Sequence, residues 1–296
     1  MTATYTLQLL GGFNLLCDGA PVSGLTSRKA QALLIYLACT RQPYSREKLA
    51  DMLWDATSTE QSLSNLRTVM SRLRPHLGDW IQAVRDTVTL ADAAPLAVDV
   101  VKWEAALAEH GRPVDATQAA RLDEALQHYR GDFLAGFHVP DAAGFVDWAL
   151  VEKERLHYLA LQAHRELAAF YEAQDMLEAG LRTAQRLLTL EPLDEAAHAQ
   201  LMRLLARSGQ RAAALAHYDS CCNLFAAELD APPTAALTAP MRRSATSTFA
   251  PAEPTPASAP TAAPRYQLPQ PLTPLWGAPT NWPPSSTGFK PHPSGW

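Results

Sequence analysis

The chain has 296 residues, a formal charge of −5 and 23 prolines. That length accommodates one large domain or two ordinary ones, and the net acidity argues against a non-specific polyanion binder but not against a specific one. Cys17, Cys39, Cys221 and Cys222 form no C-x-x-C pair, and no apolar run approaches the roughly 18 residues of a membrane span, so the chain reads as a reduced, cytoplasmic protein with no membrane partner.

The first 23 residues read as short strands. Tyr5-Thr6-Leu7-Gln8-Leu9 alternates, Gly11-Gly12 breaks the run, and Phe13 to Cys17 follows. Asp18-Gly19 is a hairpin signal before Ala20-Pro21-Val22, so a small antiparallel sheet is the economical expectation. Ser27 is the expected cap of a first helix with Ala30, Leu33, Leu34 and Leu37 as its apolar stripe. After Pro43, Ser45 caps a second helix, buried through Leu49, Met52, Leu53 and Trp54.

A third helix is expected from Ser58 or Thr59 to Gly78. Leu63, Leu66, Met70, Leu73 and Leu77 recur at steps of three and four, which places them on one face. Ser64, Asn65, Thr68, Ser71 and Arg72 fall opposite, with Arg67 and Arg74 on the shoulder. No carboxylate follows Glu60 on that outward face. Short polar side chains and arginines are the types that reach base edges and phosphates in a major groove. An ordinary surface helix is the alternative, and the flanking segments decide between them. Pro75 is expected to kink or end the helix near Arg74. Two short apolar runs then flank Arg85-Asp86, which predicts a β-hairpin over 80–90.

The order sheet, helix, helix, helix, hairpin describes a winged helix-turn-helix. Its third helix would enter the major groove and its hairpin would be the wing. Asn65, Thr68 and Arg72 are spaced i, i+3, i+7 and share a line along the helix. Arginine suits guanine O6 and N7, and asparagine suits adenine N6 and N7. Arg67 and Arg74 are expected on phosphates. Arg85 at the wing tip is either a minor-groove or phosphate contact or a solvated turn residue. Arg28 and Lys29 open the first helix, and Arg46 and Lys48 the second. Cations are unfavourable there for the helix dipole, and a phosphate backbone crossing those ends would account for them, Arg28 above all; ordinary solvated charge is the alternative and the preferred reading of Lys48.

From Leu96 the pattern becomes helical, with Trp103, Ala106 and Leu107, a second helix near 117–129, and a long helix over about 145–173. Between the last two lies Tyr129-Arg130-Gly131-Asp132-Phe133-Leu134-Ala135-Gly136-Phe137, a glycine-punctuated aromatic loop. Phe133, Phe137 and Trp148 are expected in the core. A shift of 34 residues aligns Leu167 with Leu201, Tyr171 with Leu205, Ala179 with Ala213 and Asp175 with Gly209. That period is the tetratricopeptide signature of two helices per unit. The prolines concentrate beyond Ala231, where 16 of the 23 lie. A tail of that composition has too little apolar surface to order itself.

LLGGFNLLCDGAPV, SRKAQALLIYLA, SREKLADMLW, NLRTVMSRLRPHLGD and VRDTVTL, in this order, resemble the OmpR-like winged helix of the Streptomyces antibiotic regulatory protein family. YRGDFLAGF, FVDWALVEKERL and EPLDEAAHAQLMRLLARSGQRAAALAHY resemble the bacterial transcriptional activator domain that follows it there. The resemblance covers roughly residues 5–232. It implies a winged-helix domain over 1–95 and an all-α tetratricopeptide-like domain over 96–232, and composition adds a disordered Pro/Ala/Ser/Thr-rich tail over 233–296. It also implies a sequence-specific activator that binds double-stranded DNA at direct repeats, self-associates there and recruits RNA polymerase. Thr68 and Val69 depart from the more arginine-rich third helix of the family. Leu268–Gly277 resembles the linker that leads into a P-loop ATPase in longer members, but no G-x-x-x-x-G-K-[ST] follows. It is either the trace of a longer regulator or a proline-rich linker in its own right.

No pattern supports catalysis or a cofactor. The histidines are scattered without H-E-x-x-H, and the turn aspartates Asp18, Asp79, Asp86 and Asp92 have backbone reasons to be where they are. The expected DNA-contacting residues are therefore Arg28, Ser64, Asn65, Arg67, Thr68, Ser71, Arg72, Arg74 and Arg85. The competing reading is a protein-interaction module in which the helical array works and the winged helix is degenerate.

Overall fold

The computed structural model describes residues 4–91 and 93–232, with Thr234 and Leu237. Asp92 and the proline-rich tail, including Leu268–Gly277, lie outside the described residues. Among the described residues the protein is mainly α-helical, with two small sheets near its N-terminus.

The first sheet contains β1 (Tyr5–Gln8), β2 (Asn14–Cys17) and β3 (Ala20–Pro21). Asp18 and Gly19 both take positive φ, 49° and 84°, which is what a two-residue hairpin requires. The sheet is not purely antiparallel. Strand β7 (Leu96–Val98) pairs in parallel with β1, Tyr5 opposite Leu96 and Leu7 opposite Val98. The sequence pattern made Leu96–Val100 only a lead-in to a helix. Its alternation, Leu96 and Val98 buried with Ala97 between, instead covers the free edge of β1. Just beyond, the Asp99 carboxylate accepts hydrogen bonds from the backbone N–H of Leu9 (2.9 Å), Leu10 (3.1 Å) and Val100 (2.8 Å). It thus caps the end of β1 where the ladder stops.

Helix α1 (Arg28–Thr40) begins at Ser27, whose hydroxyl accepts from Ala30 N–H, and ends at Arg41 in the left-handed region. Residues 30 to 38 are all buried, so α1 is a central helix and not an amphipathic surface one. Strand β4 (Tyr44–Ser45) precedes α2 (Arg46–Leu53), capped by Ser45. Helix α3 (Thr59–Leu77) is capped by Ser58. Its buried residues are Ser62, Leu66, Val69, Leu73 and Leu77, while Leu63 and Met70 are half-buried at the edges of that face. The stripe is thus rotated slightly from the expected one, and Val69 belongs to the core. The helix also runs through Pro75 to Leu77 instead of ending near Arg74. Pro75 sits in the last turn, where the lost N–H removes one bond only, and the Gly78 N–H closes the end on the Arg74 carbonyl. Strands β5 (Ile81–Val84) and β6 (Thr87–Leu90) form the hairpin, and β4 joins β6 to make a three-stranded sheet.

The second half is all helical: α4 (Asp99–His110), α5 (Ala116–Gln127), α6 (Ala143–Ala173), α7 (Leu177–Leu190), α8 (Glu195–Arg207) and α9 (Arg211–Leu229). Helices α6 to α9 pack in sequence order. The 34-residue repeat is visible in the backbone: Asp175 and Gly209 occupy equivalent inter-helix turns, with φ of 57° and 80°. Leu167, Tyr171, Leu201 and Leu205 are buried at the equivalent packing points.

One continuous apolar cluster runs from Leu7 in β1 through α1, α2 and α3 to Tyr171 in α6. The winged helix and α4–α6 therefore share a core. Gly11 N–H donates to the Asp132 carbonyl (3.0 Å), and Leu134 N–H to the Leu9 carbonyl (2.9 Å). Gly11 has φ of +92°, and a Cβ there would lie 3.3 Å from the Arg130 oxygen. The glycines that read as simple turn breakers are thus where two backbones meet. Aromatic rings close the same joint. Phe13 meets Phe137 (centroids 5.5 Å apart), Tyr36 meets Trp148 (4.9 Å), and Phe133 and Phe145 flank Trp148.

Candidate nucleic-acid interface

The outward arc of α3 carries three arginines, Arg67, Arg72 and Arg74. Ser64, Arg67, Thr68, Ser71, Arg72 and Arg74 are exposed, and Asn65 is half-buried. Among the described residues none of the three arginines makes an ion pair, and Glu60 is the one carboxylate in the helix. Two of the short polar side chains are already engaged. Asn65 Oδ1 accepts from Gln61 Nε2 at 3.0 Å, and the Thr68 hydroxyl donates to the Ser64 carbonyl at 3.2 Å. Asn65 keeps its amide donors and one acceptor site for a base edge. Thr68 keeps only acceptor capacity.

The helix is held firmly from behind. Ser62, 1% exposed, donates to the Ser58 carbonyl (3.0 Å) and accepts from Thr57 (2.6 Å). Asp55, which opens the connection between α2 and α3, accepts from the Ala143 N–H at the start of α6 (3.1 Å). The register of the exposed arc is therefore set by contacts on both sides of the joint. Ser62 had no special standing in the sequence. Its signal was the hydroxyl run Thr57-Ser58-Thr59 with Ser62 one helical turn beyond Ser58.

At the wing, Arg85 adopts φ of 53° at an exposed tip. Thr87 donates its hydroxyl to the Val84 carbonyl (2.9 Å) and tightens the turn. The wing is tied to α2 by β4 and by the Arg46 N–H, which donates to the Asp86 carbonyl (2.8 Å). Arg46 is half-buried, and its Nε is buried without a partner among the described residues. It stands where the wing meets α2; the sequence places it among helix-start cations open to a phosphate or to solvation, and the two-residue strand β4 gave no recognisable signal.

Arg28 is placed elsewhere. Its guanidinium carbon lies 5.0 Å from the Phe137 ring centroid, and Nη1 donates to Gln31 Oε1 (3.2 Å). Its neighbour Lys29 donates from Nζ to the carbonyls of Leu53 (2.6 Å) and Asp141 (2.7 Å). Burial lowers the Lys29 pKa, against the opposing pull of Asp141 and Asp55. Both cations at the start of α1 thus face the helical half of the protein. Seven of the nine expected residues lie along α3, Arg85 stands at the tip of the hairpin, and Arg28 is placed at the joint.

Other chemistry is sparse. No cluster of three His, Cys, Asp or Glu able to hold a metal occurs among the described residues, and no helix there is long and apolar enough to cross a membrane. The four cysteines are free thiols. A cleft of about 630 Å³ beside the Asp55 anchor carries Asp55, Asp141 and Asp147, a charge that repels phosphate.

Residues 92–243 match the family described as the bacterial transcriptional activator domain. Among solved structures, that of Mycobacterium tuberculosis EmbR in complex with a low affinity phosphopeptide is similar, with a TM-score of 0.58 and 21% identity over 82% of this chain. This chain spans 65% of that structure's length. At that identity the likeness concerns the fold. No curated protein matches the chain.

Proposed function

The chain belongs to the bacterial transcriptional activator domain family, in the winged-helix-first arrangement of the Streptomyces antibiotic regulatory proteins, and from that premise we propose that it is a cytoplasmic, sequence-specific DNA-binding activator. Helix α3 lies in the major groove, with Arg72 and Asn65 on base edges and Arg67 and Arg74 on phosphates. Arg85 at the wing and Arg46 behind it reach the flanking backbone. Two or more copies associate on directly repeated sites, and the helical domain contacts RNA polymerase. The observation that carries this reading is the exposed arc of α3, where three arginines have no ion-pair partner among the described residues and Glu60 is the one carboxylate of the helix.

The physical reason is simple. An arginine without a protein partner is fully hydrated and loses little when it moves to a guanine edge or a phosphate, where it is bidentate. The test is an electrophoretic shift on tiled DNA from upstream of the gene and its neighbours, with excess non-specific competitor at two salt concentrations. A competitor-resistant complex confined to one tile, weakened about tenfold by R72A, is the expected result. A shift removed equally by any competitor overturns it and leaves the helical array as the working part of an interaction protein.

A further inference from the structure

A cavity of about 510 Å³ opens where the end of α5 and the Tyr129–Gly131 loop meet α6 and α7. It is remote in chain and in chemistry from the α3 arc. Its size is that of a small-molecule site. Leu126 and Leu190 give it an apolar floor, while Arg130 and Arg186 bring two guanidinium groups to its wall. Each arginine has one nitrogen on a protein carboxylate: Arg186 Nη1 on Asp123 at 2.7 Å, and Arg130 Nη2 on Asp99 at 3.4 Å. Their remaining N–H groups are available to a ligand. Because both charges are already partly balanced, the site suits a single negative charge and not a polyphosphate.

His164 supplies the second polar feature. It lines the cavity and is 4% exposed. Its Nδ1 lies 2.8 Å from the Ala160 carbonyl. A carbonyl only accepts, so Nδ1 carries the hydrogen and Nε2 is an acceptor. Nε2 has no partner among the described residues. Burial, the dominant cause, lowers the His164 pKa and keeps the ring neutral. An acceptor on the lining beside two donors, with Leu126 and Leu190 next to them, makes the cavity both polar and apolar. It matches a ligand that carries an anion, a hydroxyl donor and a hydrocarbon body.

We propose that this cavity binds a small amphipathic hydroxy acid, with the carboxylate between Arg130 and Arg186, the hydroxyl donating to His164 Nε2, and the apolar body against Leu126 and Leu190. This goes beyond the DNA-binding reading and does not depend on it. Arg130 and Gly131 also adjoin the backbone contact with Gly11, so an occupied cavity presses on the joint that positions the winged helix.

The test is calorimetric titration of the full chain, without DNA, so that its failure is separate from failure of the DNA reading. The probes are 3-hydroxyoctanoate, 3-hydroxydecanoate and 3-(4-hydroxyphenyl)propionate. Saturable binding of at least one, with one molecule per chain, is expected. The methyl ester of that acid binds about tenfold or more weakly, and R186Q weakens the acid by a similar factor. T189W, at an exposed position on the rim, abolishes binding, and H164F removes the preference for the hydroxy acid over its deoxy analogue. Melting temperatures of the variants near that of the parent separate these effects from unfolding. Absence of saturable binding for all three acids overturns the proposal, as does binding indifferent to both T189W and R186Q.

Discussion

Arginines on the helical repeats and arginines on α3 are the same residue in opposite circumstances. Arg155 is held by Glu104 and Glu152, Arg165 by Asp194, Arg203 by Glu172, and Arg207 by Asp175. Apart from Arg155–Glu152 within α6, these pairs tie together elements that are not consecutive in the chain, such as α4 to α6 and α6 to α8. Arg67, Arg72 and Arg74 have no such partner among the described residues, although the winged helix carries nearly equal numbers of each charge, nine Lys/Arg and eight Asp/Glu over residues 1–95. The difference is one of placement. Carboxylates are interleaved with arginine on the repeats and kept off the outward arc of α3. Net charge therefore says little about where a polyanion can land, while the local absence of a competing carboxylate says much.

The contrast breaks most visibly if the α3 arginines are removed together. R67A/R72A/R74A is expected to lower specific DNA affinity by more than about 100-fold while circular dichroism and melting stay unchanged. Equivalent removal on the repeats should do the reverse, so R165A/R203A/R207A is expected to lower the melting temperature and leave DNA affinity alone at temperatures below it. A preserved DNA complex in the first variant would mean that α3 is not the reading helix.

Single changes sharpen the distinction between base and phosphate contacts. R72A is expected to cost roughly tenfold in affinity and to relax preference at one base position, read by selection from a randomised site. R67A or R74A should instead weaken all sequences alike and reduce the slope of log affinity against log salt by about 0.9.

Acid stability probes the repeat side. Burial alone would raise the carboxyl pKa of Glu172 and Asp194, but Arg203 with Gln200 and Arg207 outweigh it for Glu172, and Arg165 with backbone N–H groups outweighs it for Asp194. Both are held below the ordinary carboxylate range. A depressed folded-state pKa gives stability that is complete above the unfolded value and disappears as pH falls through the folded one. Denaturant midpoints should therefore fall on acidification below about pH 4.5. E172Q should lower stability at neutral pH by about 1 kcal/mol and flatten that acid limb. The smallest effect is expected for R28A, which should change DNA affinity by less than about twofold, because its guanidinium already rests on Phe137.

The elements that packing periodicity determines were legible from residues alone. Leu66, Leu73 and Leu77 of α3, the caps Ser27, Ser45 and Ser58, the Asp18-Gly19 turn and the 34-residue register at Asp175 and Gly209 all stand where pattern and turn chemistry put them. Contacts that depend on distant partners were not legible. Two residues of β4 and three of β7 are too short to show alternation, and each exists because an open strand edge elsewhere needs pairing. Arg28 illustrates the same limit. A cation at a helix start is equally well explained by a phosphate or by an aromatic ring brought from residue 137, and only the tertiary structure supplies the ring. The face of α3 was readable, whereas the hydrogen bonds that engage Asn65 and Thr68 were not, since they depend on rotamers.

The seam at Gly11 and Asp132 also bears on the order in which the protein is made. The N–H groups of Leu9 and Leu10 wait for Asp99, the edge of β1 waits for Leu96, and the rings around Trp148 come from well beyond the third helix. As the chain leaves the ribosome, its first 95 residues emerge with a strand edge bare and part of the core uncovered. They gain their finished form only when residues up to Trp148 have followed. A nascent chain of this build does not complete its winged helix until more than a third of its helical half has been synthesised, so the two halves mature together.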